Sequence, residues 1–150
     1  MNGVTTITMA QSFRLKQKSD WDAALSNPAT RTLSAEKLIG HWVNTDPATR
    51  GIASILIEKN GDNFDVSATG VGVGVLIEWP RTRAVALANL EEEAGQRTVA
   101  LGVDFEFGFM KAETYLRVNK GVLVIVLFVT FKDGSARSNY VNREFFYRQN

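Results

Sequence analysis

The chain contains no cysteine and a single histidine, His41, among its 150 residues. The lack of cysteine excludes disulfides, thiolate nucleophiles and cysteine-ligated zinc. One histidine leaves no histidine pair for a metal site, so we expect no metal and no cofactor. Hydrolase and metalloenzyme chemistry is correspondingly hard to build from this set of side chains.

Charge of one sign and long apolar runs are also missing. Lys and Arg total 17 against 16 Asp and Glu, a net charge of +1, so no basic excess points to nucleic acid or an anionic membrane. The longest apolar run, VLVIVLFV at 122–129, is far shorter than the roughly 20 residues of a membrane helix. The first residues lack the basic and apolar regions of a signal peptide. We therefore expect a cytoplasmic protein with no nucleic-acid or membrane partner.

Most of the chain has the alternation typical of strands. Eight or nine strand segments follow Gly40, separated by short turns such as the NGD at 60–62. No helical stretch between them is long enough for a crossover, so the pattern predicts an all-β, antiparallel barrel of eight to nine strands. Before it, SDWDAALSNP (19–28) predicts a short helix capped by Ser19. We divide the chain into an N-terminal arm and helix, residues 1–34, that packs on or closes the barrel, and a barrel, residues 35–150.

The stretch GVGVGVLIEWP (70–80) has three glycines spaced by two residues. A dinucleotide fingerprint needs a G-x-G-x-x-G that opens a helix, and a P-loop needs Lys and Ser or Thr after its last glycine. Neither pattern is present. Spacing by two places the glycines on one face of a strand, so we interpret the whole stretch as a barrel strand in which glycine allows bending or close approach.

The segment LIGHWVN (38–44) resembles the G-x-W signature that opens the first strand of lipocalins, avidins and other calycins, with Gly40 and Trp42 as the motif residues. The resemblance covers roughly residues 35–148 and implies a calycin-like barrel closed at one end by Trp42. In lipocalins a late arginine packs on this tryptophan, and Arg143 and Arg148 are the candidates. Asn44 stands where avidins carry a ligand-contacting asparagine.

More narrowly, the chain resembles small, uncharacterised bacterial lipocalin-like domains. It departs from their pattern in the middle strand, which here has no cysteine pair and carries Glu78, Trp79 and Pro80 in place of a D-W-G element. Any function tied to those cysteines is therefore not expected in this chain.

The residues of the last four strand segments supply the candidate ligand contacts. In 97–108 the apolar set that includes Phe105 and Phe107 is expected to face inward, with Asp104 and Glu106 outside. Both faces of 121–131 are apolar, and the parity of 140–148 stays open. The candidate ligand-binding residues are Trp42, Asn44, Phe105, Phe107, Phe128 and Phe145. No catalytic residue is assigned. Arg143 with Glu78 or Asn44 would form an internal polar spot.

Three functions stay open. The first is binding of a small, mainly hydrophobic molecule in the barrel interior. The second is a cofactor-independent cyclase or isomerase of secondary metabolism, of the Diels–Alder or pericyclic type, because some such enzymes resemble lipocalins and act through shape and orientation. The third is a non-catalytic interaction module with a filled barrel. The strand 121–131 needs a cover on its outside, supplied by the N-terminal helix with Trp21 and Leu25 or by a second subunit, which makes a homodimer one expected assembly.

Overall fold

The computed structural model describes residues 36–88 and 98–150, and these contain nine strands. They are β1 (Gly40–Asn44), β2 (Ile52–Asn60), β3 (Asn63–Val71), β4 (Leu76–Glu78), β5 (Thr82–Ala88), β6 (Thr98–Glu106), β7 (Met110–Asn119), β8 (Val122–Phe131) and β9 (Tyr140–Arg148). The predicted helix at 19–28 lies outside the described residues. No helix of the described part is long and apolar enough to cross a membrane.

Eight of the strands close into an antiparallel barrel in the order β1-β2-β3-β5-β6-β7-β8-β9, with β9 pairing back onto β1. The all-β barrel predicted from the alternation is confirmed. Each of these eight barrel strands pairs with the next barrel strand along the chain. The described residues belong to one compact unit.

The ninth strand, β4, pairs with the same strand, β3, as β5 does. β4 and β5 together therefore form one interrupted strand along β3. Thr69 of β3 pairs with Glu78 of β4, and Val66 of β3 pairs with Thr82 of β5. Between these two pairs β3 advances by three residues while the β4–β5 segment advances by four. The β4–β5 segment therefore has one extra residue, as in a β-bulge. Pro80 lies in this interruption, where it cannot donate to the sheet ladder.

The glycine-alternating stretch is a hairpin, which corrects the expectation of one continuous strand. β3 ends at Val71, and the chain turns with a hydrogen bond from the Gly72 amide to the Val75 carbonyl at 2.8 Å. Gly74 has a φ of 67°, a value that glycine adopts without strain. Apart from glycine, the turn contains none of the usual turn residues Asn, Asp and Pro.

Side-chain directions follow the predicted alternation on β6 and β7. Leu101, Val103 and Phe105 are buried while Asp104 and Glu106 are exposed. On β8 the inward set is Leu123, Ile125, Leu127 and Val129, and on β9 it includes Glu144 and Phe146. The structure therefore shows which face of β8 and which face of β9 points into the barrel, a choice that the sequence left open.

The barrel interior is filled with side chains. Trp42, Phe105, Leu116 and Ile125 expose 0–1% of their surface and belong to one hydrophobic cluster. A side chain beside a void large enough for water would expose surface to it, so these four border no such void. Their packing is that of an ordinary protein core.

Candidate functional site

At one end of the barrel, Arg148 closes the structure over Trp42. Its guanidinium lies 4.6 Å from the centre of the Trp42 ring, and it donates hydrogen bonds to the carbonyls of Ile39 at 2.7 Å and Lys37 at 2.6 Å. The Trp42 indole N–H donates to the Leu38 carbonyl at 2.9 Å. Of the two candidate arginines, Arg148 is therefore the one that contacts the tryptophan. We call this closed end of the barrel, formed by Trp42 and Arg148, the plug.

The backbone conformation at residue 40 explains why the G-x-W motif has a glycine there. Gly40 has a φ of 141°, which L side chains rarely adopt, and it places the chain for the Arg148 contacts with residues 37 and 39. His41, between Gly40 and Trp42, is exposed, as its parity predicts. It therefore lies outside the barrel and far from an interior role.

At the opposite end, where the 45–51, 72–75, 107–109 and 132–139 connections lie, an aromatic cluster covers the interior. The Trp79 ring meets Phe105 and Phe107 edge-on, each with centroids 5.1 Å apart. Gly70 leaves the space that the Trp79 indole occupies, since a Cβ at Gly70 would collide with it. The structure thus brings the predicted residues Phe105 and Phe107 together, in a layer that seals the interior.

A pocket of about 730 Å³ lies at the same end of the barrel, between the 45–51 loop and β9. It exists because β1 is short. Asn44, its last residue, pairs with Phe146, so residues 140–145 of β9 extend past the end of β1. The loop lies beside this free stretch of β9, and its one backbone bond to it runs from the Thr45 amide to the Phe145 carbonyl at 2.9 Å.

The carboxylate of Glu144 lies at the base of the pocket, with 9% of the residue exposed. Its Oε1 accepts hydrogen bonds from the Asn44 side-chain amide at 3.1 Å and from the Thr49 hydroxyl. Its Oε2 accepts one from the Ile52 amide at 3.1 Å. Within the described residues no lysine or arginine lies within ion-pair distance of Glu144. The negative charge is therefore held by neutral donors alone.

Gly51 makes room for this carboxylate. A Cβ at Gly51 would lie 2.5 Å from Oε2 and 2.7 Å from Oε1 of Glu144, closer than real Cβ atoms come. The Gly51 amide in turn donates a hydrogen bond to the Thr49 hydroxyl oxygen at 3.0 Å. The loop and the carboxylate are consequently fitted to each other.

Tyr140 and Phe145 supply the aromatic part of the pocket lining. Burial raises the pKa of the Tyr140 hydroxyl above its usual value of 10.0, and the nearby negative charge of Glu144 raises it further. The hydroxyl therefore stays protonated at neutral pH and is available as a hydrogen-bond donor or acceptor. Aromatic surface beside a buried carboxylate suits a ligand that is part apolar and part polar.

Metal binding at this site has little support from its ligand set. Within the described residues, no group of three or more His, Asp or Glu side chains could hold a metal ion. The charged residues of the pocket lining are the buried Glu144 and the exposed Asp46, Arg50 and Arg143. Because neither arginine lies within ion-pair distance of Glu144, its carboxylate is suited to an organic ammonium or guanidinium group, or to a hydroxyl donor.

The six predicted ligand residues lie in four places. Trp42 is in the plug, and Phe105 and Phe107 are in the aromatic cluster. Asn44 and Phe145 line the pocket. Phe128 is 52% exposed and Phe145 is 41% exposed on the outside of the barrel wall, so neither lines the interior. The expected polar spot of Arg143 with Glu78 or Asn44 is not formed, because Arg143 and Glu78 are both exposed. Asn44 instead donates a hydrogen bond to Glu144.

Glu144, Thr49 and Gly51 were missed by the sequence reasoning. The signal for Glu144 was present in SNYVNREFFYR, because residues 144, 146 and 148 share one face of a strand. Once Arg148 is assigned to Trp42, Glu144 must point inward. Nothing local in TDPATRG indicates that Thr49 and Gly51 meet a strand almost a hundred residues later.

Comparisons of this chain with protein-family models, with curated proteins and with solved structures found no match in any of the three.

Proposed function

We propose that this protein binds a small organic molecule in the pocket between the 45–51 loop and β9, through an ammonium, guanidinium or similar donor group on the ligand. The observation that carries the proposal is the buried Glu144 carboxylate, which has no cationic partner among the described residues. Buried charges in proteins are normally paired, and an unpaired one in a pocket is a candidate recognition group.

The free hydrogen-bonding capacity of Glu144 supports the same role. A carboxylate oxygen accepts two hydrogen bonds. Oε1 already accepts two, from Asn44 and Thr49, whereas Oε2 accepts one, from Ile52. Oε2 can therefore receive one bond from a ligand while the loop stays in place. The pocket volume of about 730 Å³ falls within the range of roughly 300–1,000 Å³ typical of small-molecule sites.

The apolar part of the ligand would lie on the Tyr140 ring, because Tyr140 has the same strand parity as Glu144 and lines the pocket with it. Asn44 plays a positioning role in this proposal. Its carbonyl accepts from the Asp46 amide at 2.8 Å, and its amide donates to the Ile52 carbonyl at 2.8 Å and to Glu144. All of its polar atoms are thus engaged in holding the loop and the carboxylate.

The interior site that the resemblance implied is less well supported. Phe105 exposes 1% of its surface and Trp42 also 1%, so a ligand there would have to displace packed side chains. The cyclase or isomerase alternative needs the same interior space. A calycin relationship stays part of the proposal and is supported by the contact of Arg148 with Trp42 at 4.6 Å. The filled interior also favours the alternative of a non-catalytic interaction module.

The test uses phenethylamine as the probe, with phenethyl alcohol as its neutral analogue and hydrocinnamate as its anionic one. Chemical shifts of isotope-labelled protein are followed at the amides of Gly51 and Ile52 and at the Asn44 side chain. We expect the amine alone to shift them, with a Kd on the order of 1 mM for so small a molecule. Equal binding of the alcohol would contradict charge recognition, and no binding of any probe would contradict the pocket.

Two variants test whether the charge of Glu144 is responsible for binding. Glu144→Gln keeps the shape and removes the charge, so amine binding is expected to be lost. Glu113→Gln is the matched control, because Glu113 is an exposed carboxylate on β7 outside the pocket, and it should bind like the wild type. An apolar dye that instead perturbs Phe105 and Leu116 would move the ligand site to the barrel interior.

A further inference from the structure

The pocket that holds Glu144 follows the edge of β9 and not one of its faces. Six consecutive residues, 140–145, line it. Successive side chains of a strand point to opposite faces, so a pocket on one face would be lined by every second residue. The unbroken run therefore places the pocket along the backbone of β9, where this strand extends past the end of β1. We call this part of the pocket the edge slot.

The backbone groups of Val141 and Arg143 face the edge slot. On the β1 side of β9, the Phe145 carbonyl accepts a hydrogen bond from the Thr45 amide at 2.9 Å. In an antiparallel ladder the backbone groups that face one neighbour come from every second residue, so those of Val141 and Arg143 face the same side. Among the described strands none pairs with these two residues there. The Arg143 amide instead donates to the side chain of its own neighbour, Asn142, at 3.0 Å.

Such a free stretch of strand is suited to an added strand. Unpaired N–H and C=O groups on a strand edge are a template for another chain, and many peptides bind to proteins in this way. Residues 140–145 span roughly 17 Å at about 3.4 Å per residue. That length matches an extended peptide of about four or five residues.

The edge slot is closed at one end, and this sets the direction of a bound peptide. Thr45 stands opposite Phe145 and fills the place there. The neighbours of β9 are antiparallel to it, and a peptide antiparallel to β9 runs in the direction of β1, so its first residue lies at the closed end. The next place along the edge after Thr45 is opposite Glu144. The α-ammonium group of the peptide therefore comes beside this carboxylate.

Charge opposes the reverse direction. A peptide parallel to β9 would bring its terminal carboxylate to the closed end, where the negative charge of Glu144 repels it. Glu144 is the one buried charge among the residues that line the pocket, and it is most sensitive to what is placed beside it because burial lowers the screening by water. Its Oε2 still has one acceptor position free for an ammonium N–H.

We propose that the edge slot binds the amino-terminal end of an extended peptide, which adds a short antiparallel strand along Val141 and Arg143 and places its α-ammonium group on Glu144. The inference rests on the binding site proposed above, because the same carboxylate recognises the ammonium group, and it names the ligand of that site as a peptide amino terminus.

The first test is an NMR titration of the full chain with the peptide amide Thr-Val-Thr-Val, with a free amino terminus and with the same terminus acetylated. The free peptide should bind about tenfold more tightly than phenethylamine, because strand hydrogen bonds add to the ammonium contact. Acetylation should weaken binding by about tenfold or more. Equal affinity of the two peptides would overturn the proposal. If phenethylamine binds and the free peptide binds no more tightly, strand addition is wrong while the ammonium site stands.

The second test fixes the register with two N-methylated peptides. With its first residue opposite Glu144, the peptide has its second residue opposite Arg143, and the N–H of that second residue donates to the Arg143 carbonyl. Methylation of this nitrogen should weaken binding by about tenfold or more. Methylation at the third residue is the matched control, since that N–H points away from β9 and the affinity should stay near that of the parent peptide. Equal effects, or effects in the reverse order, would overturn the added strand.

The third test separates the ammonium contact from the strand. In Glu144→Gln the free and the acetylated peptide should bind equally, at the weaker affinity of the acetylated one. In Glu113→Gln, which changes an exposed carboxylate outside the pocket, the difference between the two peptides should persist. A difference that survives in Glu144→Gln would assign the amino terminus to another group and overturn the proposal.

Discussion

The Glu144 carboxylate lies against the Cα of Gly51, so close that a methyl group on Gly51 would come within 2.5–2.7 Å of both its oxygens. This contact joins β9 to the loop between β1 and β2, and it places a buried negative charge at the pocket. Because the φ of Gly51 is not in the left-handed region, the requirement for glycine here is one of space alone.

Gly51→Ala should therefore destabilise the fold by crowding, at about 1–3 kcal/mol of unfolding free energy. Urea denaturation followed by tryptophan fluorescence measures it. Gly108→Ala is the matched control, since nothing lies within 4 Å of a Cβ at Gly108, and it should change stability by less than about 0.5 kcal/mol. Equal effects of the two substitutions would show that the Glu144 contact is not tight.

Arg148→Ala should lower the free energy of unfolding by about 1–2 kcal/mol, because it removes the stacking on Trp42 and two hydrogen bonds to backbone carbonyls. Arg148→Lys keeps the charge without the planar fork that reaches residues 37 and 39 together, so it should recover only part of the loss. Full recovery with lysine would mean that charge, and not geometry, is what matters at this position.

The raised pKa of Tyr140 makes the stability of the fold depend on pH in the alkaline range. Burial and then the charge of Glu144 raise it above 10.0, so the native state holds this proton in a range where the unfolded chain releases it. The corresponding stability is present below the unfolded pKa and is lost as the pH rises through the folded one.

Titration of the phenolate absorbance of wild type and Tyr140→Phe isolates the Tyr140 transition. Glu144→Gln should lower that pKa without bringing it fully to 10.0, because the larger cause, burial, remains. A Tyr140 pKa that does not respond to Glu144→Gln would contradict the electrostatic contact between them.

The stability at acid pH depends on carboxylates that accept hydrogen bonds in the folded state. Hydrogen bonds from Ser135, together with Arg137, lower the pKa of Asp133 to about 2. Interactions with Asn60 and Arg81 lower that of Asp65. Their stabilising contributions are present above the unfolded pKa values and are lost as the pH falls through the folded ones. Asp133→Asn should therefore flatten the decline of thermal stability measured from pH 4 down to about 2. An unchanged decline would assign acid sensitivity to other groups.

The sequence predicted the barrel and the orientation of β6 and β7, because polar and apolar residues alternate cleanly there. It did not orient β8, whose two faces are both apolar, and it left β9 open because Glu144 and Arg148 share a face with Phe146. Only a long-range contact, Arg148 with Trp42, decides β9. Predicting the hairpin at 72–75 failed because glycine alternating with valine imitates a strand.

The candidate site was less predictable than the fold. Asn44 and Phe145 were identified, for reasons of resemblance and aromatic character, and both line the pocket. Glu144 escaped notice since a carboxylate in a strand usually faces water. Its burial depends on Asn44, Thr49 and Ile52, three donors brought to it by chain closure, and no short stretch of sequence encodes such a meeting.

The strands of the barrel wall are joined by unequal numbers of paired positions. β7 and β8 share ten paired positions, whereas β4 holds to β3 by three. Pro80 removes a further donor at the junction. Local opening of a protein is easiest where few backbone bonds must break. The pairings of β9 with β1 and of β3 with β5 also have three positions each, but among the described strands β4 has no other neighbour. Amide hydrogens of β4 should accordingly exchange with solvent long before those of β7 and β8.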